Sequence, residues 1–303
     1  MEFRQLKYFI EVAEREHVSE AAAQLHVAQS AISRQIANLE SELGVQLFER
    51  EGRNVKLLPI GKIFLTHARE AMKAIEYAKK QMDEYIDPER GSIKIGFPTS
   101  LASSLLPHLL ADFKEAFPNI HFQLRQGSYH FLIDSIKDRE LDIAFLGPVV
   151  TDDPNINGDI LFQEKMFLLT PNNHRLSKRK SVYLTELKDE DFVLFPEGYI
   201  FEKLVVDACH SVGFGPHVMT EGEDLDAVKG MVAAGIGLTI LPESAIGQLQ
   251  SNYTVKIPIS SPDLKRSVGM ITPRHRDLAP SEKVFYQFVI DYFTKHYPNQ
   301  YPL

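Results

Sequence analysis

From Gly91 onward, strand-like and helix-like segments alternate, and this order constrains the fold more than any other feature of the chain. The strand-like segments of the first set are Ser92–Phe97, His121–Arg125 and Leu141–Leu146, and the helical patterns between them lie near Leu101–Phe117 and Tyr129–Arg139. A βαβαβ order of this kind predicts a mostly parallel sheet in an α/β domain.

A second set of alternating segments begins near Phe162 and ends with a strand at Ser267–Thr272 and a helix at Glu282–His296. Two sets predict two α/β subdomains with a cleft between them, as in periplasmic binding proteins. We expect subdomain I at about residues 91–162 and 268–303, and subdomain II at about 163–267. Together they form a predicted ligand-binding domain, residues 91–303.

Residues 1–58 have a different pattern, with three short helical segments followed by a predicted hairpin. Ser19 is the expected N-cap of the second helix. The third helix is expected at Gln29–Leu43 with Gly44 as its stop, and Ile32, Ile36, Leu39 and Leu43 form its inward stripe. Two strands around a turn at residues 51–53 complete a predicted winged helix-turn-helix domain.

One long helix is predicted between Pro59 and Asp87, within a linker segment at residues 59–90. Its apolar positions follow spacings of four and three, the a/d pattern of a helix that packs against a partner helix. They are Phe64, Ala68, Ala71, Ile75, Ala78, Met82 and Tyr85. The alternative is a helix packed on its own domain; the strict spacing favours a dimerisation helix and a homodimer.

Composition gives no direct support for nucleic-acid binding. The formal net charge is −8, and residues 1–60 hold seven Lys or Arg against nine Glu. Any such function must rest on where the charges are placed. The single cysteine, Cys209, permits no internal disulfide, the N-terminus lacks signal-peptide features, and no stretch has the roughly 18–20 apolar residues that span a bilayer. We expect a cytoplasmic protein without membrane contact.

The third helix has a second face of short or polar residues, Ser30, Ser33, Arg34 and Ala37, with Gln29 at its start. Small side chains let a helix enter the major groove, and Arg and Gln are the residues that contact guanine and adenine. Arg50 and Arg53 fall where a wing would reach the minor groove. The pattern alone leaves DNA binding and a protein-interaction module about equally open.

A long motif decides between these alternatives. Residues 19–40 (SEAAAQLHVAQSAISRQIANLE), 42–44 (ELG), 47–50 (LFER), 57–61 (LLPIG) and 232–242 (VAAGIGLTILP) resemble the LysR-type transcriptional regulators. The resemblance spans the chain and implies an operator on double-stranded DNA, a homodimer or a homotetramer, and RNA polymerase as a partner. By the same resemblance, Gln29, Ser30, Ser33 and Arg34 match DNA-contacting positions, and Arg53 matches the wing.

Two predicted helix starts, at Thr99-Ser100 and Gly127-Ser128, place hydroxyl and backbone N–H groups beyond strand ends, where α/β proteins bind ligands. The pair is suited to an anion with a carboxylate at each start, although simple N-capping explains the same residues. The family resemblance implies that Ser100 and Ser128 contact an effector, and Phe195 and Pro196 occupy the corresponding strand end of subdomain II.

Further segments narrow the resemblance to family members that activate glutamate synthase genes. They are residues 12–19, 48–54, 96–103, 124–129 and 220–227. This resemblance implies an activator of those genes whose effector is a small carboxylate, 2-oxoglutarate or glutamate.

Two other classes of protein fit less well. A solute-binding protein would match the C-terminal pattern but not residues 1–87, and an enzyme would need an acid/base pair, a metal cluster or a phosphate loop. Gly235 and Gly237 follow a helix and precede a strand, the reverse of a dinucleotide-binding turn. Cys209 has no nearby base that would make it a nucleophile. We expect no enzyme activity, no metal and no cofactor.

Overall fold

A computed structural model describes residues 1–51, 54–87, 91–102, 105–247 and 252–296. It divides into two compact units, Met1–Asp83 and a second one from Glu84 onward. None of the helices in these ranges is long and apolar enough to cross a membrane.

The first unit begins with the three helices and the hairpin that the sequence predicts. They are α1 (Phe3–Arg15), α2 (Val18–Leu25), α3 (Gln29–Leu43), β1 (Phe48–Glu51) and β2 (Asn54–Leu57). Their apolar stripes meet in one core, where Phe9, Ile32 and Leu39 are fully buried. The hydrophobic period of three and four residues therefore decides which face of each helix points inward.

Two details of the predicted helices are wrong. The N-cap of α2 is His17 rather than Ser19, because the His17 Nδ1 accepts the backbone N–H of Glu20 at 3.2 Å. Leu43 is 36% exposed and does not join the buried stripe, since it lies in the last turn of α3 beyond the core. Gly44 ends α3 as expected, with a left-handed backbone at φ 71°.

The next element, α4 (Pro59–Ile86), is a single helix of 28 residues. The first part of its apolar seam packs on its own unit, where Ala68 is 3% exposed and Phe64 contacts the same core. From Ala71 onward the seam is exposed, with Ile75 at 41% and Met82 at 62%. Most of the predicted seam is thus an apolar surface of the single chain.

The second unit contains strands β3 to β12 and helices α5 to α11. In chain order they are β3 (Ser92–Phe97), α5 (Thr99–Ala102), α6 (Leu106–Ala116), β4 (His121–Gln126), α7 (Tyr129–Lys137), β5 (Ile143–Leu146), β6 (Ile156–Pro171), β7 (Val182–Tyr183), β8 (Asp191–Leu194), α8 (Ile200–Ser211), β9 (His217–Glu221), α9 (Leu225–Ala233), β10 (Thr239–Pro242), α10 (Glu243–Ile246), β11 (Thr254–Ser261), β12 (Lys265–Pro273) and α11 (Pro280–His296). A short 3-10 helix, Leu184–Leu187, follows β7.

The three strands of the predicted βαβαβ set are parallel as expected, but the main sheet as a whole is mixed. Within the described ranges it has eight strands, in the order β4-β3-β5-β12-β6-β11-β7 with β10 also paired to β6. β3 pairs in parallel with β4 and β5, but the long strands β6 and β12 run antiparallel to each other and to their other neighbours. Antiparallel neighbours need no crossover connection, so β12 lies between β5 and β6 without the connecting helix that a parallel neighbour requires. A separate parallel pair joins β8 and β9.

Two expected boundaries also change. The predicted helix near Leu101–Phe117 is two helices, α5 and α6, and Pro107 in the first turn of α6 suits a new helix start. The second set of segments, expected to begin near Phe162, begins earlier, because its first strand, β6, runs from Ile156 to Pro171. Strands β7 and β11 were not predicted at all.

Strands β6 and β12 connect separate hydrophobic clusters of the second unit. Phe162 and Val268 belong to one cluster, whereas Met166 and Leu168 belong to another. Between these clusters Glu164 and Arg266 face each other in register on the two strands. This position is where the sequence predicts the change from subdomain I to subdomain II.

Candidate functional site

The predicted recognition face of α3 is accessible in the first unit. Gln29, Ser30 and Arg34 are exposed and Ser33 is half-buried, while Ile32 on the opposite side is fully buried. Within the described parts of the chain, no hydrogen bond or ion pair engages these four polar side chains. Their donors and acceptors are therefore available to an external partner, and the stripe opposite holds the helix in place.

Two carboxylates tie the hairpin to the helices. Glu40 of α3 accepts the backbone N–H groups of Leu47 and Phe48 at 2.7 and 3.1 Å. Glu16, which follows α1, accepts the backbone N–H of Leu57 at 2.8 Å. These bonds satisfy strand-end N–H groups and hold the hairpin in a set position beside α3. Sequence reasoning missed both glutamates, which read as ordinary surface charges.

The predicted wing residues are Arg50 and Arg53. Arg50 lies in β1, in register with Val55 of β2. Arg53, and the side chain of Arg50, lie outside the described residues.

In the second unit, three of the predicted effector residues already have internal partners. Ser128 is the N-cap of α7, and its Oγ accepts the backbone N–H of Phe131 at 3.3 Å. The Gly127 N–H donates to the Phe97 carbonyl at 3.1 Å, so it is not the free donor that we expected. The Thr99 hydroxyl oxygen accepts from the Gln126 amide at 2.7 Å. Capping thus accounts for one role of Ser128, and among the described residues its hydroxyl donates no hydrogen bond to another group.

Ser100 has a different environment, because it lies 2% exposed beside a buried arginine. Arg266 donates from Nη2 to Ser100 Oγ at 3.3 Å and to Ser244 Oγ at 3.1 Å. Its Nη1 donates to the Gly147 carbonyl at 3.0 Å, and its Nε donates to Glu164 Oε2 at 2.8 Å. One guanidinium therefore connects α5, the end of β5, β6 and α10.

The charge of this cluster is balanced by one ion pair. Burial lowers the pKa of Arg266, and the adjacent Glu164 carboxylate opposes that shift. Glu164 is itself held by the backbone N–H of Ser244 at 2.6 Å from its Oε1. A buried arginine is tolerated only when it is paired and hydrogen-bonded in this way.

Phe195, which was predicted together with Pro196 for the other subdomain, reaches the same cluster through aromatic contacts. Phe195 is 6% exposed and lies 5.3 Å from Phe201, centroid to centroid. The Phe201 ring in turn lies 5.2 Å from the guanidinium carbon of Arg266. The structure thus links Ser100 and Phe195 through two residues, Arg266 and Phe201, that the sequence did not single out.

Sequence reasoning missed Arg266, Glu164 and Ser244 because nothing in their local sequence distinguishes them. Lys265-Arg266 has the composition of an exposed strand start, and Glu164 lies in an alternating polar segment. These residues are distinguished only by their pairing across two strands that are far apart in the sequence, and a local sequence pattern does not predict such a pairing. Where the chain is described, no group of three or more His, Cys, Asp or Glu residues is arranged to hold a metal ion.

Comparison with known protein families gives two matches that together cover most of the chain. The model for the bacterial regulatory helix-turn-helix protein, lysR family, matches residues 3–62, and the model for the LysR substrate binding domain matches residues 87–294.

Curated and solved relatives agree with these matches. The chain is 61% identical over 295 residues to the transcriptional dual regulator GltC of Bacillus subtilis (strain 168), covering 97% of this chain and 98% of that protein. It is similar to a full-length OxyR variant from Pseudomonas aeruginosa, with a TM-score of 0.71, 26% identity, and coverage of 97% and 95%. It is also similar to full-length CbnR complexed with its target DNA, with a TM-score of 0.72, 26% identity, and coverage of 95% and 99%.

Proposed function

Because this chain belongs to the LysR family of bacterial transcriptional regulators, we propose that it activates glutamate synthase genes under the control of a small carboxylate, 2-oxoglutarate or glutamate. The protein is a DNA-binding regulator and not an enzyme. The target genes are proposed from the segments that resemble activators of glutamate synthase genes, and the 61% identity to a dual regulator supports a function in transcription.

The observation that carries the proposal is the open polar face of α3. Gln29, Ser30, Ser33 and Arg34 read the operator in the major groove, while Arg50 and Arg53 of the hairpin contact the adjacent minor groove. The first unit is not basic overall, so its affinity depends on these few contacts rather than on bulk charge.

The effector binds in the second unit, in our proposal, at Thr99, Ser100, Gly127, Ser128, Phe195 and Pro196. The shared link of Ser100 and Phe195 to Arg266 supports a site that includes both subdomains, residues 91–162 with 268–303 and residues 163–267. Hydroxyl groups, aromatic rings and one charged group suit a small carboxylate better than an apolar ligand.

The assembly proposed is a homodimer joined through residues 59–90, with a homotetramer as the larger form, acting with RNA polymerase. Two recognition helices in one dimer would contact two half-sites of an operator. The DNA-binding domain in this arrangement is residues 1–58, and the effector-binding domain is residues 91–303.

Footprinting and transcription with purified protein test the proposal. The protein should protect DNA upstream of glutamate synthase genes and leave a scrambled fragment of equal length unprotected. Transcription from that promoter should change when 2-oxoglutarate or glutamate is added, and succinamide, a neutral compound, should have no effect. Protection of the scrambled DNA to the same extent, or transcription that ignores both carboxylates, would contradict it.

A further inference from the structure

Arg266 lies on a strand that joins two hydrophobic clusters of the second unit, and its side chain is only 1% exposed. It lies on β12 opposite Glu164 of β6, at the point between the clusters. Its hydrogen bonds go to Ser100 and Gly147 on one side and to Ser244 on the other. Any relative movement of α5 and α10 must therefore change the contacts of this guanidinium.

The acceptors around Arg266 are unequal. A guanidinium has five N–H groups and no acceptor. Only Nε faces a charged acceptor, Glu164, whereas both terminal nitrogens donate to neutral oxygens of Ser100, Ser244 and Gly147. Hydrogen bonds between charged partners are roughly twice as strong as neutral ones, and carboxylates bind guanidinium groups in a bidentate manner. An entering carboxylate would gain by replacing the neutral acceptors.

The surroundings also fit a recognition role. Gly147 leaves room for the guanidinium, since a Cβ at that position would lie 2.9 Å from the Arg266 Cζ. The centroid of the Phe201 ring lies 5.2 Å from the guanidinium carbon, a distance at which the ring attracts the cation. Structure alone does not require a charge here, because apolar residues commonly replace a buried ion pair without loss of stability.

We propose that Arg266 binds a carboxylate of the effector through its terminal nitrogens, with Glu164 as the resident counter-ion that the effector joins. The inference rests on the proposed function, since it assigns the charged group of the same site. The effector reaches Arg266 when α5 and α10 separate, and it replaces the bonds to Ser100 and Ser244. Glu164 then acts as a like charge that limits effector affinity.

Calorimetry with 2-oxoglutarate and glutamate tests the assignment on the full-length protein, with neutral glutaramide as a control ligand. Arg266→Gln should weaken carboxylate binding about 10- to 100-fold, the range expected for losing a charged hydrogen bond. Arg266→Lys should fall between this variant and wild type, because lysine keeps the charge without the fork. Glutaramide binding should not depend on residue 266.

Glu164→Gln tests whether Arg266 binds the effector or serves only as the partner of Glu164 in a structural ion pair. It should tighten carboxylate binding, because the ligand becomes the only counter-ion of Arg266. A structural pair would instead make Glu164→Gln and Arg266→Gln equally harmful. Arg179→Gln, which removes an arginine from a surface ion pair with Glu186 in the same unit, is the matched control and should bind like wild type.

The outcomes distinguish the assignment of Arg266 from the proposed identity of the effector. If wild type binds both carboxylates and Arg266→Gln binds them equally well, the assignment of Arg266 is overturned and the proposed effector stands. If wild type binds neither carboxylate, the proposed effector and this assignment fail together. Circular dichroism and thermal unfolding of each full-length variant report whether its second unit folds, and Glu164→Gln keeps the assignment testable if Arg266→Gln does not fold.

Discussion

Arg34 differs from the other charged residues of α3, because Glu40 and Glu42 have internal partners while Arg34 has none in the described parts of the chain. We expect Arg34→Ala to lower specific operator affinity by about 1–3 kcal/mol, the usual value of a bidentate base contact. The exposed side chain makes no core contact, so the fold should persist.

Arg34→Lys identifies which kind of contact is lost. Lysine keeps a phosphate contact but loses the bidentate contact with guanine. Quantitative gel shifts measure the affinity of each variant for operator DNA and for non-specific DNA. Equal loss on the two DNAs would assign Arg34 to the phosphate backbone rather than to a base.

Cys209 is fully buried, and burial raises the pKa of its thiol to about 12. Because the thiolate is the reactive form, the native protein should react with a thiol reagent at neutral pH only as fast as it unfolds. Colorimetric thiol titration in native buffer and in denaturant checks this. Peroxide treatment should leave operator binding unchanged in both wild type and Cys209→Ala; a peroxide response lost in the variant would show that the thiol is a sensor.

At the scale of single elements, α4 has an apolar seam that is mostly exposed in one chain. Ala71→Glu and Ala78→Glu should each break the homodimer, because a charge at a close-packed helix interface is costly to desolvate. Operator affinity should fall in parallel, since two half-sites need two recognition helices. Analytical ultracentrifugation and gel shifts measure the two effects.

Thr66→Glu is the control for these variants. Thr66 is exposed and lies five residues before Ala71, which places it about 140° away around the helix. The Thr66→Glu protein should remain dimeric. Dimers of normal stability in both alanine variants would show that the seam of α4 has another partner.

The last turn of α4 is joined to the start of α11 by a buried carboxylate. Glu84 is 4% exposed, and its Oε2 accepts from the backbone N–H and the hydroxyl of Ser281 at 3.0 and 2.8 Å. Glu84→Ala leaves both donors unsatisfied and should cost about 1–3 kcal/mol of unfolding free energy. Thermal unfolding should show a lower midpoint than that of Glu76→Ala, an exposed position on the same helix; equal midpoints would mean that water replaces the carboxylate.

At the scale of the whole molecule, the proposed operator and effector sites lie in different units, so control through them requires a coupling free energy between the two sites. The effector changes operator affinity only by the difference in its own affinity for the two conformations. Coupling of this kind is reciprocal. We expect operator DNA to change the Kd for 2-oxoglutarate by the same factor by which 2-oxoglutarate changes the Kd for the operator.

Titrations of each ligand with and without the other measure both factors. Ser100→Ala and Ser128→Ala should reduce both factors together while operator affinity without effector stays normal. Unequal factors in wild type would mean that the effector acts on a third partner, such as RNA polymerase, rather than on operator affinity.

The sequence by itself determined the elements whose signal is local. The stripe of Ile32, Ile36 and Leu39 and the stop at Gly44 define α3, and the motif of residues 19–40 identifies its likeness to DNA-binding helices. These features are readable because helical period, capping and turn chemistry depend on neighbours a few residues apart.

Only the tertiary structure decided the features that depend on strand pairing. Local patterns did not reveal that β6 continues from Ile156 to Pro171, or that the sheet is mixed. They also did not place Arg266 beside Glu164, 102 residues away. A strand pattern reports which face is buried but not which strand lies alongside or in what register. A buried ion pair between two strands therefore cannot be predicted from local sequence, because it depends on how the strands pair in the sheet.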